Sequence, residues 1–137
     1  MQSKKESGFS LVELLLVVVI VGVISAIAVP ALRRGIVAAD NAQAFATMRV
    51  IISSEVGFYA QNNRFARITE INSMNQGSLG TNSGTSLRRG NFTFVMSPDP
   101  APTDADLRTG YTITATKPAS IGDPGYQITA DQTGRIY

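Results

Sequence analysis

The chain has 137 residues and a formal net charge of +2, from twelve Lys and Arg against ten Asp and Glu. That is length for about one domain, and a balance too near neutral to give the basic footprint of a nucleic-acid binder. There is no cysteine and no histidine, which excludes disulfide staples, Cys/His zinc sites, thiolate nucleophiles and imidazole bases. Carboxylates, hydroxyls, amides, lysines and arginines remain for site chemistry, and the composition points to a non-enzyme without a cofactor.

The first element is an apolar helix. Lys4 and Lys5 precede Gly8, and a single carboxylate, Glu13, opens a stretch from Leu14 to Leu32 that has no charged side chain. As a helix at about 1.5 Å per residue it spans roughly 28 Å, close to a bilayer core of about 30 Å. One reading is a single membrane anchor. A second is a secretory signal peptide, with a basic start, an apolar middle and the small-x-small triplet Ala26-Ile27-Ala28 before Val29. Glu13 stands where such a signal tolerates charge badly, and cutting after Ala28 would discard the start of a longer helix. Lys4 and Lys5 on one side balance Arg33 and Arg34 on the other, so flanking charge does not set an orientation.

The helical pattern continues past the apolar run. Phe45, Met48, Ile52, Val56 and Tyr59 fall on one face, with Asp40, Gln43, Arg49, Ser53 and Glu55 largely off it. One helix from near Phe9 to near Tyr59 is predicted, its apolar half protruding and its amphipathic half packed on a head. Gly22 and Pro30 are its weak points, the proline because it removes a backbone donor and crowds the preceding turn. Gln61-Asn62-Asn63-Arg64 ends the helix.

Asn72 to Gly90, rich in Ser, Asn, Gly and Thr, is expected to be an exposed loop. Alternating strands are predicted at Asn91–Met96, Tyr111–Thr116 and Tyr126–Ala130, with a turn at Asp131–Gly134 leading to a short last strand at Arg135–Tyr137. The fold class is therefore α+β, a long N-terminal helix against a C-terminal antiparallel sheet of about three or four strands. Asp99, Asp104, Asp106 and Asp123 are weak calcium candidates, being loop carboxylates without the spacing of a recognisable calcium loop. Glu55 and Glu70 are expected to be surface charges.

The string Lys4-Lys5-Glu6-Ser7-Gly8-Phe9-Ser10-Leu11-Val12-Glu13, followed by the apolar run, resembles the class III signal of type IV pilins and pseudopilins. The resemblance implies an eight-residue leader (1–8), an assembly helix (9–34) and a globular head (35–137). It implies cleavage between Gly8 and Phe9 by a membrane prepilin peptidase, which also methylates the new amino terminus of Phe9. Glu13 would set register by pairing with the amino terminus of a neighbouring subunit, a burial much less costly than leaving either charge alone in lipid. Gly22 to Pro30 would loosen on assembly. The partners implied are the peptidase/methyltransferase, further copies of the chain, and related minor pilins or pseudopilins. The location implied is the bacterial inner membrane and then a surface pilus or periplasmic pseudopilus. The leading function is a pilus subunit, the alternatives being the major pseudopilin of a type II secretion system and a secreted or anchored binding domain outside any filament.

Overall fold

The computed structural model describes residues 8–98 and 102–137. Two compact units meet in sequence at Ile36 and Val37. Helix α1, Leu11–Asn62, runs without a break through Gly22 and Pro30. It stops where the chain turns left-handed at Asn63, φ 53°, a residue type that tolerates that conformation because its short amide can bond locally. Asn63 N–H still donates to Tyr59 O at 3.0 Å, closing the last turn.

In the second unit, short helix α2, Ile68–Met74, is followed by strands β1 (Thr81–Ser83), β2 (Ser86–Arg89) and β3 (Phe92–Ser97). A single turn of helix, α3 (Asp106–Thr109), leads to β4 (Thr112–Lys117) and β5 (Tyr126–Asp131). The sheet is a five-stranded antiparallel meander in the order β1-β2-β3-β4-β5. Its three long strands are those predicted from alternation. Period-2 alternation puts Phe92, Phe94 and Met96 of β3, Ile113 and Ala115 of β4, and Ile128 and Ala130 of β5 on one buried face. Register aligns them in rows, Leu87–Phe94–Ala115–Ile128 and Met96–Ile113–Ala130. A one-residue slip would turn each strand's apolar set to water.

Three expectations need correction. The segment Asn72 to Gly90 is not simply a loop. It holds the end of α2 and the β1–β2 hairpin, and Asn72 itself is buried, its Nδ2 donating to Gly80 O at 3.1 Å and to Asn82 Oδ1 at 2.8 Å. Polar composition concealed a hairpin whose turn is carried by Gly84 and whose entry needs a glycine. At Gly80 a Cβ would stand 2.4 Å from the carbonyl oxygen of Arg88. The last segment, Arg135–Tyr137, falls short of a full strand: it pairs with β5 through the Ile136–Ala130 bridge, where Thr129 and Tyr137 exchange backbone hydrogen bonds at 2.8 and 2.9 Å.

The buried face of α1 is also rotated from the predicted stripe. Ala44, Thr47, Met48, Ile51 and Glu55 are buried, while Val56 is 67% exposed and Tyr59 lies half out of the core. Apolar spacing alone does not find this face because two of its members, Thr47 and Glu55, are polar and bonded inside the fold. Thr47 Oγ1 donates to Gln43 O at 2.8 Å, and Glu55 accepts from another element. Around this face Phe92, Phe94, Ile68, Ile71, Leu87, Leu107, Ile113 and Ile128 form one continuous core.

Candidate functional site

Gly8, Phe9 and Ser10 precede α1 and are exposed. Ser10 is the capping residue. Its carbonyl accepts from Leu14 N–H at 3.2 Å, and its own N–H donates to Glu13 Oε2 at 3.0 Å. Glu13 thus sits in the first turn, where free backbone N–H groups and the helix dipole favour a carboxylate. The pattern Ser-x-x-Glu is that of a capping box, readable in the sequence, and its glutamate half is formed. From Leu11 to Leu32 the large aliphatic side chains are exposed. By length and composition this part of α1 is able to cross a membrane, and none of its most apolar window is buried within the chain.

The acidic residues of the head lie in separate places. Asp104 pairs with Arg67 and lies 3.7 Å from Arg64 Nε. Asp106 accepts from Thr103 N–H at 2.8 Å and from Thr103 Oγ1–H at 2.6 Å, which holds its carboxyl below the usual range. Asp123 lies 2.7 Å from Lys117 Nζ, and that cation holds its pKa down. Asp99 lies outside the described residues. Among the described residues no three acidic side chains converge as a metal cage requires.

Glu55 corrects the surface reading outright. It is fully buried, and its Oε2 accepts the Ala66 N–H at 2.7 Å. Oε1 has no hydrogen-bond partner among the described residues. Its pKa is pushed up to about 7, chiefly by burial; the Ala66 N–H and the Arg64 charge oppose the rise and the Glu70 charge adds to it. The neighbouring Tyr111 hydroxyl is raised by burial first and then by the Glu55 charge. Glu70 is not a free surface charge either. Arg64 grips it with two bonds, Nη1 to Oε2 at 2.9 Å and Nη2 to Oε1 at 2.8 Å, and chiefly that bond lowers its pKa to about 2. These contacts tie the turn after α1 to the helix below and to α2 beside it. Period counting alone does not mark a glutamate as the acceptor for a turn amide eleven residues on.

Lys117 is the other buried charge, its side chain 3% exposed. Its contact with Asp123 is close but off-axis for a hydrogen bond, so the attraction is chiefly ionic, with the ammonium also 5.5 Å from the Phe92 ring centre. The pair fastens the β4–β5 loop to the sheet.

In chain order, then, a helix-opening Ser-x-x-Glu follows a glycine at the head of a charge-free helical run, and an antiparallel sheet follows the helix. Residues 3–29 match the family model described as the prokaryotic N-terminal methylation motif. The match supports a class III, prepilin-like signal at the start of the chain, and the long helix followed by an antiparallel sheet is a pilin-like layout. Proteins with this motif are structural subunits, processed by a prepilin peptidase and assembled into filaments, and the apolar helix accords with inner-membrane anchoring beforehand. Comparisons with curated proteins and with solved structures return no match.

Proposed function

We propose that the chain is a structural subunit of a type IV pilus and not an enzyme. It is inserted in the inner membrane by its apolar helix, cut between Gly8 and Phe9, methylated on Phe9, and polymerised by burying residues 9–34 among neighbouring copies. The head, residues 35–137, then faces outward at the cell surface. The observation that carries this reading is the wholly exposed, charge-free run of α1 behind Glu13, within the matched motif. Aliphatic surface of that extent has to be covered by lipid or protein, at about 25 cal/mol per Å².

In the monomer Glu13 is occupied by its own chain's Ser10 N–H. In the filament it exchanges that neutral donor for the positive amino terminus of an adjacent Phe9, a stronger, charge-assisted partner. Gly22 to Pro30 is the part of the helix that loosens on packing, since Pro30 already leaves the Ala26 carbonyl without its helical donor. The absence of cysteine favours a second reading, the major pseudopilin of a type II secretion system, because many pilins carry a C-terminal cysteine pair.

Mass spectrometry of the mature N-terminus tests the proposal. Methylated Phe9 is expected. A chain beginning at Val29 would make the segment an ordinary signal peptide, and an intact Met1 an uncut anchor. Surface fibres containing the subunit distinguish the pilus from a pseudopilus, whose loss would instead block secretion.

A further inference from the structure

Between α1 and α2 the chain folds back over Glu55 as a short corner, residues 63–67. It leaves the helix at Asn63, left-handed at φ 53°, and re-enters regular structure at Ile68. Ala66, fully buried, gives the carboxyl its one hydrogen bond, N–H to Oε2 at 2.7 Å. The Phe65 ring packs on those of Tyr59 and Tyr111, with centres 4.7 and 4.8 Å away, and its N–H donates to Leu107 O at 2.8 Å. Arg64 lies 5.0 Å from the centre of the Phe58 ring and turns its fork to Glu70. Arg67 is engaged by Asp104 and the Pro102 carbonyl.

This arrangement suits a carboxylic acid and not a carboxylate. An ion taken out of water needs several donors or a facing cation. Glu55 has one donor, and its Oε1 is bare among the described residues. The groups that face it do not make up the difference. From the corner comes Arg64, whose fork is already filled by Glu70; from α2 comes Glu70 itself, a repelling charge; and from the start of β4 comes the Tyr111 hydroxyl. Ionised Glu55 therefore calls for water, and the layers around it differ in how readily they yield. Tyr111 leads straight into β4, which is laddered to β3 on one side and β5 on the other. Ile68 and Ile71 fix α2 in the core. The corner belongs to no ladder, and its one fully buried side chain, Ala66, is a methyl group.

We propose that residues 63–67 form a pH-gated lid, shut over Glu55 in acid and opening locally once Glu55 ionises, while the sheet and α2 stay folded. The lid belongs to the head alone and does not depend on the filament reading. Its direction follows from the carboxyl, whose pKa rises from 4.5 to about 7 when covered. The closed state is fully favoured below about pH 4.5 and loses ground as pH rises toward 7. Amide hydrogen exchange of the full chain in detergent, corrected for the intrinsic rate at each pH, reads this opening residue by residue. Protection of the Phe65 and Ala66 amides is expected to fall on the order of a hundredfold from about pH 4.5 to about pH 7.5. Low urea leaves that exchange unchanged, because the opening exposes little surface. The amides of β3 and β4 keep higher protection and carry the urea dependence of whole-head unfolding. Glu55→Gln, which retains an acceptor for Ala66 and bears no charge, holds the corner's protection level over the same range. Corner amides that exchange in step with those of β3 and β4 and share their urea dependence overturn the lid. So does an Ala66 protection that ignores pH, or a fall of equal size in Glu55→Gln.

Discussion

Replacing Glu55 by glutamine isolates the energetic effect of one buried carboxyl. Its pKa rises from 4.5 to about 7 in the folded head, chiefly through burial, so the folded state holds this proton more tightly than the unfolded state does. The associated stability is complete below about pH 4.5 and lost progressively as pH rises toward 7. At 1.36 kcal/mol per unit the loss is on the order of 3 kcal/mol. The facing charges, Arg64 and Glu70 from beyond the turn and the Tyr111 hydroxyl from beside β4, do not titrate in that window. Glu70 titrates near pH 2, and its contribution disappears only in acid.

Glutamine keeps an acceptor for the Ala66 N–H and removes the charge. All four tyrosines, at 59, 111, 126 and 137, lie in the second unit. Urea unfolding of the detergent-solubilised chain, followed by tyrosine near-ultraviolet circular dichroism at several pH values, therefore reads the head. Wild type is expected to lose about 3 kcal/mol between pH 4.5 and 7.5, and Glu55→Gln to lose little over the same range. Equal slopes in the two proteins, or a wild type that gains stability as pH rises, would refute the assignment.

Three further outcomes are expected. Glu13→Ala leaves cleavage after Gly8 intact, as read by N-terminal mass, but sharply reduces filament number in electron micrographs; normal filaments would remove Glu13 from register setting. Phe94→Ala, at the fully buried centre of the sheet, costs about 3–5 kcal/mol in urea unfolding, and a loss below 1 kcal/mol would mean the strand register is wrong. Asp123→Asn strips the countercharge from an ammonium that is 3% exposed and lowers Tm by several degrees. Combining it with Lys117→Met recovers most of that loss, because the cost of a broken buried pair lies in the charge left behind.

Much of this was legible from residue order. The apolar run, the lone Glu13 and the glycine ahead of Phe9 are local patterns, and the matched motif lies wholly within residues 3–29. The three long strands were equally visible, since alternation at Asn91–Met96, Tyr111–Thr116 and Tyr126–Ala130 is imposed by the pleat. The hairpin at Thr81–Arg89 was hidden because its turn-forming residues read as a loop and its strands are very short.

The burial of Glu55 and Lys117 belongs to another level. A period can say which residues share a helix face, but not whether a distant amide or carboxylate will arrive to satisfy a polar one. Ala66 N–H meets Glu55 only after α1 ends and the chain folds back, and Asp123 meets Lys117 only when the β4–β5 loop closes. Local order thus settled the signal, the long helix and the strands, because each depends on neighbours a few residues apart. Which face of α1 turns inward, and which charges are taken out of water, was settled by contacts between remote segments, since desolvation depends on everything packed around a group.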